Sequence, residues 1–301
     1  MGSNDNMADN TNYTNHTVKI GTRKSRLAMA QTSLVAERIK ALFPQVKIEI
    51  IPFTTKGDRT LDKPLEVIGG KGVFVGEIET ALTACEIDMA VHSAKDLPVD
   101  LAEGTAVCGV LERGDYRDML ITKKGRSIAK DESFLAGTGS KRRRENLLKL
   151  YPNVRFGNIR GNVDTRLGKL ANGDFDGIIL CAAGIERLGL SMADYEVKKF
   201  TADEFIPAPC QAIIAVQCRI ESFAAEVANA ISHKPTMESF EAEREVVKLL
   251  GADCTVPVGA FCSIENGRAK LIISDGKGRY ASGECAKGEH IRLAGELVKK
   301  L

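Results

Sequence analysis

Several residue types and patterns are scarce or missing in this 301-residue chain, and each absence excludes a class of protein. It contains no tryptophan and only 5% aromatic residues, so we expect no large aromatic platform for stacking nucleic-acid bases. No apolar run approaches the roughly 18 residues of a membrane-spanning helix, which argues against a membrane protein. The eight cysteines include no C-x-x-C pair, which argues against a zinc or dithiol site.

Net charge is also nearly absent, since 42 basic and 40 acidic residues leave +2. A balance so close to zero gives no reason to expect a nucleic-acid or membrane partner. Residues 1–16 are polar and rich in asparagine, without the apolar segment of a secretory signal, and we expect them to be a disordered or artificial extension. Reduced cysteines in apolar surroundings then indicate a cytoplasmic protein.

What is present is an alternation of strand and helix patterns typical of an α/β fold with parallel sheets. The predicted strands are 17–21, 46–53, 88–92, 118–122, 154–159 and 177–181. The predicted helices are 25–42, 73–84, 140–150, 162–172 and 182–189. After the break at Pro207-Ala208-Pro209 the tail changes character, with a helix at 236–250, strands at 258–264, 268–275 and 279–285, and a last helix.

This pattern predicts two α/β domains and a small C-terminal α+β domain. We place the first domain at 17–112 with 212–231, the second at 113–211 and the third at 232–301.

Positive charge is concentrated between residues 136 and 170. Nine basic side chains stand there against two acidic ones, a surplus of seven in a chain whose remainder is therefore negative. The run Lys141–Arg144 is open to two interpretations, a solvated helix face or a nucleic-acid patch. The position of the run in the chain favours a third interpretation, an anion-binding site. Gly137-Thr138-Gly139-Ser140 should follow a strand and open the helix that carries Arg142 and Arg143, so that backbone N–H groups and guanidinium groups lie together at a helix N-terminus.

A second turn of the same kind is Arg160-Gly161-Asn162, with Arg166 one helical turn further on. Arginine suits bidentate capture of carboxylate or phosphate, so the two turns together predict a site for a polyanionic ligand. Thr22-Arg23-Lys24-Ser25 is a comparable turn in the first domain. In open α/β sheets ligands bind at the carboxyl ends of strands, and we expect all these turns to face one crevice.

Asp96, in the segment His92–Pro98 after a predicted strand, is a lone carboxylate in these basic surroundings. It is either a helix cap or ion-pair partner, or an acid/base or cation-stabilising group. His92 itself is more typical of a structural histidine.

Two further segments are candidates for function. Gly69-Gly70-Lys71-Gly72 lacks the spacing of an ATP-binding loop and fits a flexible lid better, with Lys71 contacting an anion. Cys254 lies among polar residues in a loop before a strand, where it is either a functional thiol or an ordinary cysteine.

Six motifs in this order resemble the porphobilinogen deaminase (hydroxymethylbilane synthase) family. The resemblance runs from about Val18 to Leu301. The motifs are residues 22–25 (TRKS), 69–74 (GGKGVF), 92–98 (HSAKDLP), 137–143 (GTGSKRR), 160–167 (RGNVDTRL) and 254–259 (CTVPVG).

The resemblance implies two domains shaped like periplasmic binding proteins, a third small domain, and a dipyrromethane cofactor attached to Cys254 by a thioether. It also implies the reaction: a monomeric transferase joins four molecules of porphobilinogen head to tail with loss of ammonia and releases hydroxymethylbilane. Each pyrrole carries an acetate and a propionate, so the growing chain is polyanionic and suits the arginine-rich turns. A carboxylate at Asp96 would stabilise positive charge at pyrrole nitrogen.

By motif position, the resemblance assigns site residues as follows. Asp96 is catalytic, and no metal is expected. The cofactor residues are Cys254, Lys95, Thr138, Ser140, Arg142, Arg143 and Arg166. The substrate residues are Arg23, Ser25, Arg160 and Gln211, and the lid residues are Lys71 and Phe74.

The chain departs from the family pattern at a few positions. Cys210 and Ala212 flank Gln211 where the family usually has glycine, Ala252-Asp253 precede Cys254 where glycines are common, and Arg26 stands where proline is frequent. Loss of glycine narrows the allowed backbone, so we expect a differently shaped hinge and cofactor loop. The alternative function is a non-catalytic anion-binding module on the same scaffold.

Overall fold

The protein is described by a computed structural model that covers residues 16–55, 75–252 and 256–301. The first of its sheets has the strand order β2-β1-β3-β10-β4. Its strands are β1 (Thr17–Arg23), β2 (Lys47–Phe53), β3 (Met89–Ser93), β4 (Thr105–Val110) and β10 (Ile214–Arg219). The helices beside it are α1 (Arg26–Leu42), α2 (Gly76–Thr83) and α6 (Phe223–Ala230).

The second sheet has the order β7-β6-β8-β5-β9. Its strands are β5 (Asp118–Lys123), β6 (Leu135–Gly137), β7 (Arg155–Gly157), β8 (Gly177–Cys181) and β9 (Tyr195–Lys199). The helices are α3 (Lys141–Leu150), α4 (Val163–Asn172) and α5 (Ala182–Arg187). Successive side chains point to opposite faces, and so Met119 and Ile121 join the core beneath α4 and α5 while Leu120 joins the core beneath α3.

The C-terminal part forms a third, antiparallel sheet with the order β11-β12-β13. Its strands are β11 (Gly259–Glu265), β12 (Arg268–Ser274) and β13 (Tyr280–Ala286), and its helices are α7 (Lys234–Leu249) and α8 (His290–Val298). One apolar face, including Ala260, Leu271 and Ile273, packs against Val246 of α7 and Leu297 of α8. The predicted fold class, two α/β units and a small α+β unit, is confirmed.

The prediction of parallel sheets is wrong in one respect, because each large sheet contains one antiparallel strand. In the first sheet β10 runs antiparallel to β3 and β4, and in the second β5 runs antiparallel to β8 and β9. Each of these strands follows a segment that crosses from the other sheet: residues 111–117, the first crossing, lead into β5, and residues 200–213, the second crossing, lead into β10. Four elements, β4, β9, β10 and α6, were not predicted from the sequence.

The antiparallel strands decide where the site lies. Asp118, the first residue of β5, pairs with Cys181 at the carboxyl end of β8, and Ile214, the first residue of β10, pairs with Ser93 at the carboxyl end of β3. Both crossings therefore lie at the edge where the parallel strands end. A backbone hydrogen bond from Gly114 to Ala212 (3.3 Å) joins the two crossings, and one from Leu111 to Ile214 (3.1 Å) joins the first crossing to the start of β10.

Candidate active site

The predicted turns lie at strand ends and open helices through side-chain caps. Ser25 Oγ accepts from the N–H of Ala28 (3.3 Å), and Ser140 Oγ accepts from the N–H of Arg143 (3.4 Å). Asn162 Oδ1 accepts from the N–H of Thr165 (2.9 Å). Each oxygen satisfies one of the free N–H groups of a first helical turn. Ser25 and Ser140, predicted as ligand contacts, are thus the N-caps of α1 and α3.

Thr138 is buried in the turn that precedes α3. Its Oγ1 accepts from the N–H of Ser140 (3.2 Å), and its N–H donates to the carbonyl of Gly157 at the end of β7 (3.0 Å). These bonds hold the turn after β6, which leads into the N-terminus of α3, against the end of the neighbouring strand β7. Helix N-termini favour anions.

Arg142 and Arg143 are buried and share one carboxylate, that of Asp118. Asp118 Oδ2 accepts from Arg142 Nη2 (2.8 Å), and Oδ1 accepts from Arg143 Nε (3.0 Å). Burial alone would raise the pKa of Asp118, but the two guanidinium groups lower it to about 2. Asp118 was not among the predicted site residues, because nothing in the sequence around it shows which arginines it meets in the fold.

Gln211 lies in the second crossing and is 1% exposed. Its Nε2 donates to the carbonyl of Tyr116 in the first crossing (2.7 Å), and its Oε1 accepts from Arg142 Nη2 (3.3 Å). The amide predicted to contact substrate therefore joins the two crossings to each other and to the arginine pair.

Arg160 and Arg166 form a cluster of like charge with Arg143. The Nε of Arg166 donates to the carbonyl of Gly161 (2.8 Å), and among the described residues no carboxylate forms an ion pair with Arg160 or Arg166. Burial, together with the charges of Arg143 and Arg160, lowers the pKa of Arg166 to about 10. A buried guanidinium group next to two others of the same charge makes a favourable site for an anion.

Lys95 is an exposed basic side chain close behind β3 of the first sheet. It lies in the short 3-10 helix Ala94–Asp96 that follows β3. The pKa of the Cys181 thiol is raised, mainly by burial and the charge of Asp118, while Lys95 and Arg143 oppose the rise. Lys95 and Arg143, which belong to different sheets, therefore both lie near Cys181, at the edge where β8 ends.

Asp96 is half-buried at the end of the same 3-10 helix. Within the described ranges its carboxylate caps no helix and forms no hydrogen bond or ion pair. His92, at the end of β3, is buried, and burial is the main cause that lowers its pKa to about 4, with a further contribution from the charge of Arg23. His92 is therefore neutral at pH 7. Its Nε2 has no hydrogen-bond partner in the part of the chain that the structure describes.

The departures from the family pattern have structural counterparts. Cys210 (φ 61°) and Ala212 (φ 67°) both adopt the left-handed conformation that glycine tolerates best. The second crossing therefore adopts, at Cys210 and Ala212, backbone conformations that glycine would adopt with less strain. Arg26, at the start of α1, donates from Nη1 to Asp164 Oδ2 in α4 (2.8 Å) and links helices of the two large sheets.

Three predicted site residues, Lys71, Phe74 and Cys254, lie outside the described residues, as do residues 1–15 of the predicted extension. Within the described ranges no group of His, Cys, Asp or Glu side chains could hold a metal ion, and no helix is long and apolar enough to span a membrane.

Comparison with known proteins shows which family the sequence is similar to. The family model described as "Porphobilinogen deaminase, dipyromethane cofactor binding domain" matches residues 18–226. The chain belongs to the porphobilinogen deaminase family.

Curated relatives extend the similarity over nearly the whole chain. The porphobilinogen deaminase of Streptococcus sanguinis (strain SK36) is 40% identical over 293 residues, 94% of this chain and 95% of that protein. The probable porphobilinogen deaminase of Methanocaldococcus jannaschii is 42% identical over 291 residues, 94% of this chain and 98% of that protein. Members of the porphobilinogen deaminase family are transferases, and the matched domain is the one that binds the dipyrromethane cofactor.

A solved structure of the substrate binding protein of an amino acid ABC transporter is also similar, at 15% identity and a TM-score of 0.39, covering 78% of this chain and 94% of that one.

Proposed function

We propose that this protein is a hydroxymethylbilane synthase, which joins four porphobilinogen molecules head to tail, loses one ammonia at each addition and releases the linear tetrapyrrole. The observation that carries the proposal is the surplus of guanidinium groups at the strand ends. Arg143 and Arg166, with Arg160 beside them, outnumber the single buried carboxylate of Asp118. Porphobilinogen and its oligomers carry two carboxylates per pyrrole, which would balance this charge.

The residues present fit a dipyrromethane, whose carboxylates need several cations close together. Lys95, Arg142, Arg143 and Arg166 would bind those carboxylates. Thr138 and Ser140 would contribute by holding the N-terminus of α3, which favours an anion, in place beside them. When bound, the group supplies the pyrrole carbon to which the first substrate is joined. From the resemblance, we propose that Cys254 carries it through a thioether.

The incoming substrate would be held by the first-sheet turn and by Arg160. Arg23 ends β1, and Ser25 caps α1. The first residue of α1, Arg26, pairs with Asp164 at the start of α4, the helix that follows Arg160, so the two turns lie near each other. The amide of Gln211 is occupied by Tyr116 and Arg142. We therefore propose that Gln211 supports substrate binding by holding the crossings together. Lys71 and Phe74 would belong to a lid.

Asp96 is the proposed catalytic residue. It follows β3 beside Lys95, and no described residue neutralises its carboxylate. In a site that is otherwise cationic, an ionised carboxylate at this position would stabilise positive charge on the reacting pyrrole and accept its N–H proton.

Mass spectrometry of the intact protein, together with an assay of ammonia release from porphobilinogen, tests the function. We expect a mass above that of the polypeptide by two pyrrole units, absent from Cys254→Ser, and ammonia released with each addition. Asp96→Ala should keep the added mass and slow ammonia release by about 10²–10⁴-fold. Glu103→Ala, an exposed change in the same sheet's loops, should release ammonia normally. An active protein of unmodified mass would contradict the proposal.

We also propose that nucleic acid is not a partner. In the run 141–144, Arg142 and Arg143 are buried against Asp118, and Arg144 donates to the carbonyl of Thr138 (3.1 Å). Lys141 is the exposed member. Charge turned inward in this way supports a small anionic ligand rather than a phosphate backbone, whose binding would show a steep salt dependence.

The domain division 17–112 with 212–231, 113–211 and 232–301 is likewise a proposal, supported by the strands of each sheet falling within one of these ranges. We further propose that the protein acts as a monomer in the cytoplasm. Its seven described cysteines are all free thiols, which suits a reducing compartment.

A further inference from the structure

Asp118 is the acid on which the binding cluster depends. As the first residue of the antiparallel strand β5, it pairs with Cys181 at the end of β8 and so reaches the edge where the site lies. Its side chain is fully buried, and the two ion pairs, to Arg142 Nη2 and Arg143 Nη2, are both 2.8 Å long. A buried carboxylate is retained in an ionised state only with such partners.

Each arginine is also held by a backbone carbonyl. Arg142 Nη1 donates to the carbonyl of Ile206 in the second crossing (2.6 Å), and Arg143 Nη1 donates to the carbonyl of Ile179 in β8 (3.1 Å). With Asp118 between them, the two guanidinium planes are fixed from both sides. Long side chains that would otherwise sample many rotamers are therefore ordered before a ligand binds.

The charges do not cancel. One carboxylate serves two guanidinium groups, and the nearby Arg166 has no carboxylate partner among the described residues. Asp118 thus orients the cations without neutralising the cluster, which leaves positive charge for an anionic ligand.

We infer that Asp118 is a positioning residue for the proposed reaction: it aims Arg142 and Arg143 at the carboxylates of the bound pyrroles, which it does not itself touch. The inference rests on the proposed function. Because misplacement of a binding group by about 1 Å costs up to about 100-fold, loss of Asp118 should impair cofactor loading and substrate binding even in folded protein.

The test compares Asp118→Asn with Ile121→Ala, a core change in the same strand that also destabilises the sheet. Both are purified as folded monodisperse protein at low temperature. The fraction carrying the two-pyrrole mass is then measured per folded molecule, together with KM and kcat of the loaded protein. We expect Asp118→Asn to lower the loaded fraction about 10-fold or more and to raise KM more than it lowers kcat. Ile121→Ala should load like the wild type.

Arg143→Lys is the second variant, and it keeps the charge and leaves Asp118 paired with Arg142. A lysine ammonium group cannot reproduce the planar set of N–H donors that Asp118 orients in Arg143. We therefore expect the fraction of protein that carries the two-pyrrole mass to fall as it does in Asp118→Asn. Normal loading and KM in Arg143→Lys, or in folded Asp118→Asn, would overturn the inference. A wild type that carries no added mass and releases no ammonia would instead refute the proposed function.

Discussion

The pair formed by Arg113 and Glu243 gives the sharpest prediction about stability. Glu243 of α7 is 0% exposed, and its two oxygens accept from Arg113 Nη1 (2.8 Å) and Nη2 (2.7 Å). They also accept from the N–H of Cys210 in the second crossing (2.5 Å) and of Cys262 in β11 (2.7 Å). One carboxylate therefore joins both crossings to the C-terminal sheet.

Glu243→Gln removes the charge and replaces one acceptor by an N–H₂ donor that faces other donors. Removing one partner of a buried ion pair costs about 3–5 kcal/mol, because the remaining charge is buried without compensation. At about 2–4 °C per kcal/mol, we expect the melting temperature to fall by about 6–20 °C. Circular dichroism and scanning calorimetry would measure the change.

The matched control is Glu241→Gln on the same helix. Glu241 is about half exposed, at 48%, and pairs with His290, so the cost should stay below about 1 kcal/mol. Arg113→Met combined with Glu243→Gln should recover part of the stability, because no charge is then left unpaired. If the melting temperature of Glu243→Gln lies within about 2 °C of that of the wild type, the ion pair of Arg113 and Glu243 does not stabilise the junction of the two crossings with the C-terminal sheet.

Three further predictions concern other features of the fold. Gly109→Ala should lower the free energy of unfolding by about 1–3 kcal/mol, because the added Cβ would lie 2.1 Å from the carbonyl oxygen of Ala228. In the control Gly168→Ala, the added Cβ would meet nothing within 4 Å, and the free energy of unfolding should rise by about 0.5–1 kcal/mol. Ala212→Gly should raise the unfolding midpoint in urea, since relief of the left-handed backbone gains about 1–2 kcal/mol and the lost methyl costs about 0.8 kcal/mol; a lower midpoint would show that the crossing is unstrained. The pKa of Asp118, about 2 against an ordinary 3.8, gives stability that is present above pH 3.8 and lost as pH falls through 2, about 2 kcal/mol in all. Unfolding curves between pH 5 and 2 should therefore show the wild type converging on Asp118→Asn, and parallel curves would contradict this.

The elements and turns could be predicted because their causes are local. The N-cap at Ser25 and the start of α1 follow from a hydroxyl beside an amphipathic run, and the three C-terminal strands follow from alternation. The strand β10 was missed because its residues Ile214–Cys218 are buried on both faces. A short, mostly apolar segment without alternation does not distinguish a strand from a buried helix.

The candidate site also contains features that the local sequence predicts and pairings that it does not. The arginine-rich turns could be named from residue types and order, whereas Asp118 and Glu243 could not. Each of these acids meets its arginine across a long stretch of chain: Asp118 lies 24 residues from Arg142, and Glu243 lies 130 residues from Arg113. Nothing in the local pattern of either acid identifies such a partner.

By itself, therefore, the sequence determined most of the strands, helices and capped turns, and which cations stand near the strand ends, because neighbouring residues settle those outcomes through sterics, capping and side-chain alternation. Only the tertiary structure decided that β5 and β10 run antiparallel, and that the two crossings consequently lie at the carboxyl ends of the parallel strands. It also decided which buried acid balances which arginine. Burial is what gives those pairs their energy, and burial exists only once the sheets and crossings have assembled.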